Sequence, residues 1–138
     1  AIDQSHLNLQ LQNEFRATLS SLVASKKRIV LLDDIPYFPF DPKQCKYRRK
    51  FSSNYHGDCK MKAEYFNEGY RKYFAFWESL IQEYPSIKLI HPSRYFCDSE
   101  FCSMKNSNGL LYRDYNHLNI LGSKYVGQRL IKENVEIW

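Results

Sequence analysis

Residues 28–34, Arg28-Ile29-Val30-Leu31-Leu32-Asp33-Asp34, place four aliphatic side chains in a row between an arginine and a pair of aspartates. An apolar run of this length, cut off by charge, predicts a strand covered on both faces, as in a parallel sheet. Before it, Leu7, Leu11, Phe15, Leu19, Leu22 and Val23 recur every three or four positions, so they fall on one face of a helix ending near Ala24. Ser25-Lys26-Lys27 interrupts that period. A cover helix, a short turn and a buried strand make half of an α/β unit.

Downstream, Ile35 to Cys59 contains Pro36, Pro39 and Pro42, several aromatics and a basic cluster, with no period of 2 or 3.6. It predicts a long ordered loop at the C-terminal end of the strand, where α/β proteins bind ligands. A second helix is expected from about Lys60 to Glu83, with Met61, Tyr65, Tyr73, Trp77, Leu80, Ile81 and Tyr84 inward and Pro85 closing it. Ile87-Lys88-Leu89-Ile90 predicts a second short strand, left by His91-Pro92. Between Tyr95 and Tyr112, the turn-prone Asn106-Ser107-Asn108-Gly109 before Leu110-Leu111-Tyr112 predicts a small hairpin, and a last helix follows from about Asn119 to Glu133. One α/β domain with parallel strands, spanning 1–138, is the expectation.

Composition narrows the function classes. A 43% hydrophobic and 16% aromatic content over 138 residues excludes a disordered chain. No run approaches the roughly 18 to 20 apolar residues of a membrane-spanning helix, and the first ten residues lack a charged-then-apolar signal pattern. The net charge is +5, and Lys43, Lys46, Arg48, Arg49 and Lys50 concentrate positive charge in one short stretch. That cluster is either a solvated loop or a contact for anionic partners, with Lys46, Arg48 and Arg49 the candidate substrate-binding residues. With its aromatic neighbours Tyr37, Phe38, Tyr47, Phe51 and Tyr55 it would suit an anionic glycan. Nucleic acid is disfavoured, since no recognised nucleic-acid motif accompanies the charge.

Four cysteines fall in two local pairs, Cys45 with Cys59 and Cys97 with Cys102. The spacings fit two disulfides in an oxidising compartment. Free thiols are the second reading, and a zinc site drawing on His56 or His91 the third, although Cys-x4-Cys without a matching second pair is a weak signal.

The chemistry-bearing feature is Asp114-x-x-His117, between Leu111-Tyr112-Arg113 and Leu118-Asn119-x-x-Gly122. A serine hydroxyl becomes a nucleophile when an imidazole takes its proton, and the imidazole needs a carboxylate to fix its tautomer and stabilise its cation. Three residues apart on a loop entering a helix, Asp114 and His117 can face one pocket, the histidine as base and then acid, the aspartate orienting it. A lone Asp-x-x-His is also a common accident, and a histidine there is often only a cap.

The stretch Tyr112-Arg-Asp-Tyr-Asn-His-Leu-Asn-Ile-Leu-Gly-Ser-Lys-Tyr-Val126 resembles the last sequence block of the SGNH hydrolases, in particular the SGNH domains fused to membrane acyltransferase-3 proteins that O-acetylate bacterial surface polysaccharides. Arg28–Asp41, the cysteine of Asp41-Pro-Lys-Gln-Cys45, and Phe96-Cys-Asp-Ser-Glu-Phe-Cys102 match in order. The resemblance implies a flavodoxin-like three-layer α/β/α fold, of which the C-terminal portion is present. It implies triad roles for Asp114 and His117, a Cys97–Cys102 disulfide and no cofactor. The implied partners are an acylated donor, a polysaccharide acceptor and an upstream integral-membrane acyltransferase domain of the same polypeptide. The implied location is the periplasmic or extracytoplasmic face of the bacterial inner membrane.

The family's nucleophile is a serine in a Gly-Asp-Ser motif, absent here, and the only glycine before Gly69 is Gly57. Ser5, Ser20, Ser21, Ser52, Ser53 and Ser93 lack the small neighbours of a strand-to-helix turn. The nucleophile is therefore expected upstream of residue 1, and the 138 residues alone are expected to be inactive. Two buried strands also make a poor sheet, leaving edges for another segment to cover. Asp33, Asp34 and His91, at strand ends, are expected to serve loop hydrogen bonds more than substrate.

Overall fold

A computed structural model describes residues 9–46 and 58–133, with the side chain of Lys46 excepted. The contacts fall into two compact units. One takes the chain up to Asp33 together with Asn67–Ile90, and the other takes Asp34–Phe66 together with the chain from His91 onward.

In the first unit the leading helix α1 spans Leu9–Ala24, strand β1 Val30–Leu32 and strand β3 Lys88–Ile90. The strands pair in parallel, Val30 opposite Lys88 and Leu32 opposite Ile90. The bonds from Lys88 N–H to the Ile29 carbonyl and from Asp33 N–H to the Ile90 carbonyl lengthen the ladder at both ends. Helix α3, Ala63–Glu83, lays its aromatic face on α1, and Leu19, Ile29, Trp77, Leu80 and Ile87 form the core. Phe15 meets Trp77 edge-on at 5.6 Å. At the rim the Arg16 guanidinium reaches Glu83 at 2.9 Å and lies 5.2 Å over the Phe76 ring. Burial of this face, rather than intrinsic propensity, supplies most of a helix's stability.

The expectation of a strand buried on both faces is corrected here. Val30 and Leu31 are half-buried and Leu32 is 43% exposed. The cause is the size of the sheet: β1 and β3 have only each other as partners among the described residues, so a run composed for a sheet interior stands at an edge.

In the second unit the expected loop contains a short helix α2, Pro42–Lys46. Asp41 Oδ1 accepts the Lys43 N–H at 2.7 Å, and Pro42 sits at the first helical position, where its missing donor costs nothing. The helix expected from Lys60 begins three residues later. Lys60–Lys62 is strand β2, with Met61 buried between two exposed lysines, paired antiparallel with β4, Phe101–Ser103. Pairing with β4 overrides helix propensity there, and the Ala63 N–H bonds to the Glu100 carbonyl where α3 starts.

The hairpin expected near Asn106 joins β5, Lys105–Asn106, to β6, Gly109–Leu110. Asn106 Oδ1 accepts the Asn108 N–H at 2.8 Å, and Gly109 sits at φ 131°, in the left-handed range that favours glycine. A 3₁₀ turn covers Pro92–Tyr95, and helix α4 spans Ile120–Lys132. An aromatic chain runs through this core, Phe40 to Phe38 to Tyr112 to Phe96 to Tyr125, with successive ring centroids 5.0 to 5.8 Å apart. Tyr112 is buried, and its hydroxyl donates to the Pro36 carbonyl at 3.1 Å, which satisfies the one polar atom that burial would otherwise penalise.

Candidate active site

The segment 112–118 closes on itself. Arg113 N–H donates to the His117 carbonyl at 2.8 Å, and Tyr112 bridges Leu118 just outside. Inside the loop, Asp114 Oδ1 accepts the backbone N–H of Asn116 at 3.1 Å and of His117 at 2.8 Å, so the carboxylate is oriented by the main chain of its own turn. The imidazole then lies against it, with His117 Nδ1 3.0 Å from both Asp114 oxygens.

Electrostatics assign the tautomer. Partial desolvation pushes the Asp114 carboxyl up, but the N–H groups of Asn116 and His117 and the imidazole outweigh it, bringing it down from 3.8 to about 2. An ionised carboxylate accepts only, so the Nδ1 that meets it carries a hydrogen, and Nε2 is the ring nitrogen left for another partner. The Asp114 side chain is 29% exposed and that of His117 59%, so the imidazole is open to an incoming group. Arg113 Nε stands 3.6 Å from Asp114 Oδ2 on the solvent side.

A second set of bonds anchors the loop from below. Asn119 caps α4, its Oδ1 accepting the Gly122 N–H at 2.9 Å. Its Nδ2 donates to the Leu110 carbonyl at 2.6 Å and to the Tyr112 carbonyl at 3.3 Å, and its backbone N–H bonds to the Leu111 carbonyl at 2.9 Å. One side chain thus ties the end of the hairpin to the start of the helix, with Asp114 and His117 between. Gly122 allows the approach: a Cβ there would lie 2.1 Å from the Leu111 carbonyl oxygen. Asn119 and Gly122 were visible in the sequence only as neighbours of the dyad, although asparagine just before a helix is a cap signal. Asn116 Oδ1 is buried without a hydrogen-bond partner among the described residues.

The other candidates fall as follows. Cys45 is bonded to Cys59 and Cys97 to Cys102, so the thiol and zinc readings of these cysteines give way to two disulfides. A bonded sulfur cannot serve as a thiolate ligand. His91 precedes the 3₁₀ turn, its carbonyl accepting the Arg94 N–H. Asp33 is buried, and Asp34 Oδ1 accepts the Ile35 N–H at 2.8 Å, the loop role expected for it. Arg48, Arg49 and His56 lie outside the described residues, as does the side chain of Lys46. Ser5, Ser52 and Ser53 lie outside them too, while Ser93 is buried in the 3₁₀ turn and Ser20 bonds the Tyr84 hydroxyl. No helix among the described residues is long and apolar enough to cross a membrane.

The fold is mixed α/β. Residues 2–132 match the family described as the SGNH domain fused to AT3 domains, and the chain belongs to that family, which supports a hydrolase- or acyltransferase-like module. No curated protein and no solved structure matches it.

Proposed function

We propose that this domain supplies the histidine and the aspartate of a Ser-His-Asp triad that moves an acyl group, acetyl above all, onto a cell-surface polysaccharide. The observation that carries the reading is the imidazole held through Nδ1 by both oxygens of an ionised Asp114, with Nε2 unencumbered. An imidazole so held can activate a hydroxyl, and that hydroxyl is assigned to a serine of the full polypeptide, since this sequence contains no Gly-Asp-Ser motif.

In the first half-reaction His117 Nε2 takes the serine proton as Oγ attacks the acyl carbonyl, then returns it to the departing donor group. In the second a sugar hydroxyl loses its proton to Nε2, attacks the acyl-serine and leaves as the ester, and the proton goes back to Oγ. Asp114 stabilises the imidazolium each time without being protonated. The family's fusion to AT3 domains supports a membrane acyltransferase domain in the same polypeptide, and the two disulfides support the extracytoplasmic side. Lys46, Arg48 and Arg49 are assigned to an anionic acceptor on charge alone.

The test is the O-acetyl content of surface polysaccharide in cells expressing the full polypeptide. His117→Ala should abolish acetylation at equal protein level. Acetylation that persists would leave a non-catalytic glycan-binding module, gripping through the basic loop, as the better reading.

A further inference from the structure

Two exposed aromatic rings stand at the dyad loop and take no part in the proton transfers described above. Tyr115 lies between Asp114 and His117 in sequence and is 46% exposed, while Tyr37, from the segment after β1, is 38% exposed. Their ring centroids are 5.1 Å apart with planes inclined at 56°. Loose surface tyrosines are ordinary, but here the main chain beneath the two rings is tied together. The Phe38 N–H donates to the Tyr115 carbonyl at 2.8 Å, which ties Tyr37's neighbour to the dyad loop. Phe38 is fully buried and packs edge-on against Tyr112 at 5.0 Å. The backbone of both tyrosines is therefore held by the same aromatic core that carries the segment closing around Asp114 and His117.

Rigid aromatic rings with two torsions each are inexpensive to order on binding, and exposed ring faces at a site mark contact area for a ligand with flat apolar patches and polar edges. A pyranose ring has that character: C–H groups on its faces, hydroxyls around its rim. The negative face of each tyrosine attracts the polarised C–H groups, and the phenol hydroxyls offer donors and acceptors at the rim. An extended acyl chain would instead call for a concave apolar slot.

We propose that Tyr37 and Tyr115 form a stacking platform that holds the acceptor sugar beside His117, so that its hydroxyl is presented to Nε2. The assignment rests on the acyl-transfer reading and names the part of that site that recognises the acceptor.

The experiment uses the full polypeptide that carries the domain, with the host cells' own surface polysaccharide, chemically stripped of O-acetyl groups, as acceptor. Tyr37→Leu and Tyr115→Leu remove the ring and keep apolar bulk, while Tyr37→Phe and Tyr115→Phe keep the ring. Each Leu variant should raise KM for the polysaccharide at least about tenfold, with kcat at saturation within about twofold, and each Phe variant should stay within about threefold of the parent in KM, because ring stacking carries more of the contact than the hydroxyl. Unchanged KM in both Leu variants, or a fall in kcat alone, overturns the platform.

Calorimetric titration of His117→Ala protein with the same polysaccharide gives an arm free of turnover. Binding weakened at least about tenfold by each Leu change supports the platform, and binding indifferent to both rejects it. Equal, ring-dependent binding of a single-stranded oligothymidine would reassign the rings to nucleobases. Full acetyl transfer by His117→Ala would instead sink the catalytic reading itself, and the platform as an acceptor subsite with it.

Discussion

Replacing Gly122 by alanine tests how the dyad loop is anchored. The added Cβ would sit 2.1 Å from the Leu111 carbonyl oxygen and 3.0 Å from both the Leu111 carbonyl carbon and Leu118 Cδ2. The first of these is backbone and cannot rotate away, so relief requires a shift of about 1 Å between the first turn of α4 and the strip 110–112, in a core that resists such strain. The same oxygen accepts the Asn119 N–H, so the shift stretches that bond and loosens the cap. Overpacking at about 1–3 kcal/mol and a weakened backbone bond at about 1 kcal/mol give an expected loss of about 3 kcal/mol. For a domain of this size that is a fall in Tm of roughly 10 °C. His117 precedes the cap by two residues, and a misplacement of about 1 Å is expected to cost about 10²-fold in turnover. Gly127 is the internal control: it lies in the same helix, and nothing is within 4 Å of its Cβ position. Gly127→Ala should therefore stabilise by about 0.5–1 kcal/mol through helix propensity. Denaturant and thermal unfolding of the two variants decide the matter. A Gly122→Ala protein as stable as Gly127→Ala would refute the close approach and the anchoring built on it.

Three further outcomes follow from the same geometry. Asn119→Ala should lose about 2–3 kcal/mol in chemical denaturation, one cap plus the two Nδ2 bonds, while Asn119→Asp recovers only the cap, about 1 kcal/mol. A carboxyl followed by carbon-13 NMR should place the Asp114 midpoint near 2. Because its folded value is depressed, its contribution to stability is complete above about pH 4 and is lost as pH falls toward 2; a midpoint at the ordinary carboxyl value would show that the loop N–H groups and imidazole do not hold it. Changing Cys45 and Cys59 together to alanine opens a loop with a sequence separation of 14 and should cost about 3 kcal/mol in unfolding experiments under non-reducing conditions, and a loss under about 1 kcal/mol would contradict that bond's role.

How much of this is legible in the sequence depends on the range of each interaction. Arg28–Asp34 announces a strand because aliphatic residues run unbroken, yet the ladder's length and the exposure of Leu32 depend on what pairs beside it. Lys60-Met61-Lys62 carries a period of 2 over three residues, too short to stand out against the helical pattern that follows, and only Phe101–Ser103 makes it a strand. Asp41-Pro42 held a readable helix start, hidden by the prolines around it. Asp114 and His117 could be picked out because their partnership is local, three residues within one turn. Tyr37 beside Tyr115 could not, since nothing in either neighbourhood predicts that Phe38 bonds to the dyad loop.

The most direct test of the proposed triad is serine labelling by a fluorophosphonate probe in the full polypeptide, read by mass spectrometry of the modified peptide. An imidazole oriented by Asp114 should activate one serine, so a single serine is expected to be labelled, with labelling abolished by His117→Ala and slowed by about 10³–10⁴-fold in Asp114→Asn. Labelling that proceeds at the parent rate without His117, or a parent protein with no labelled serine, would contradict the assignment.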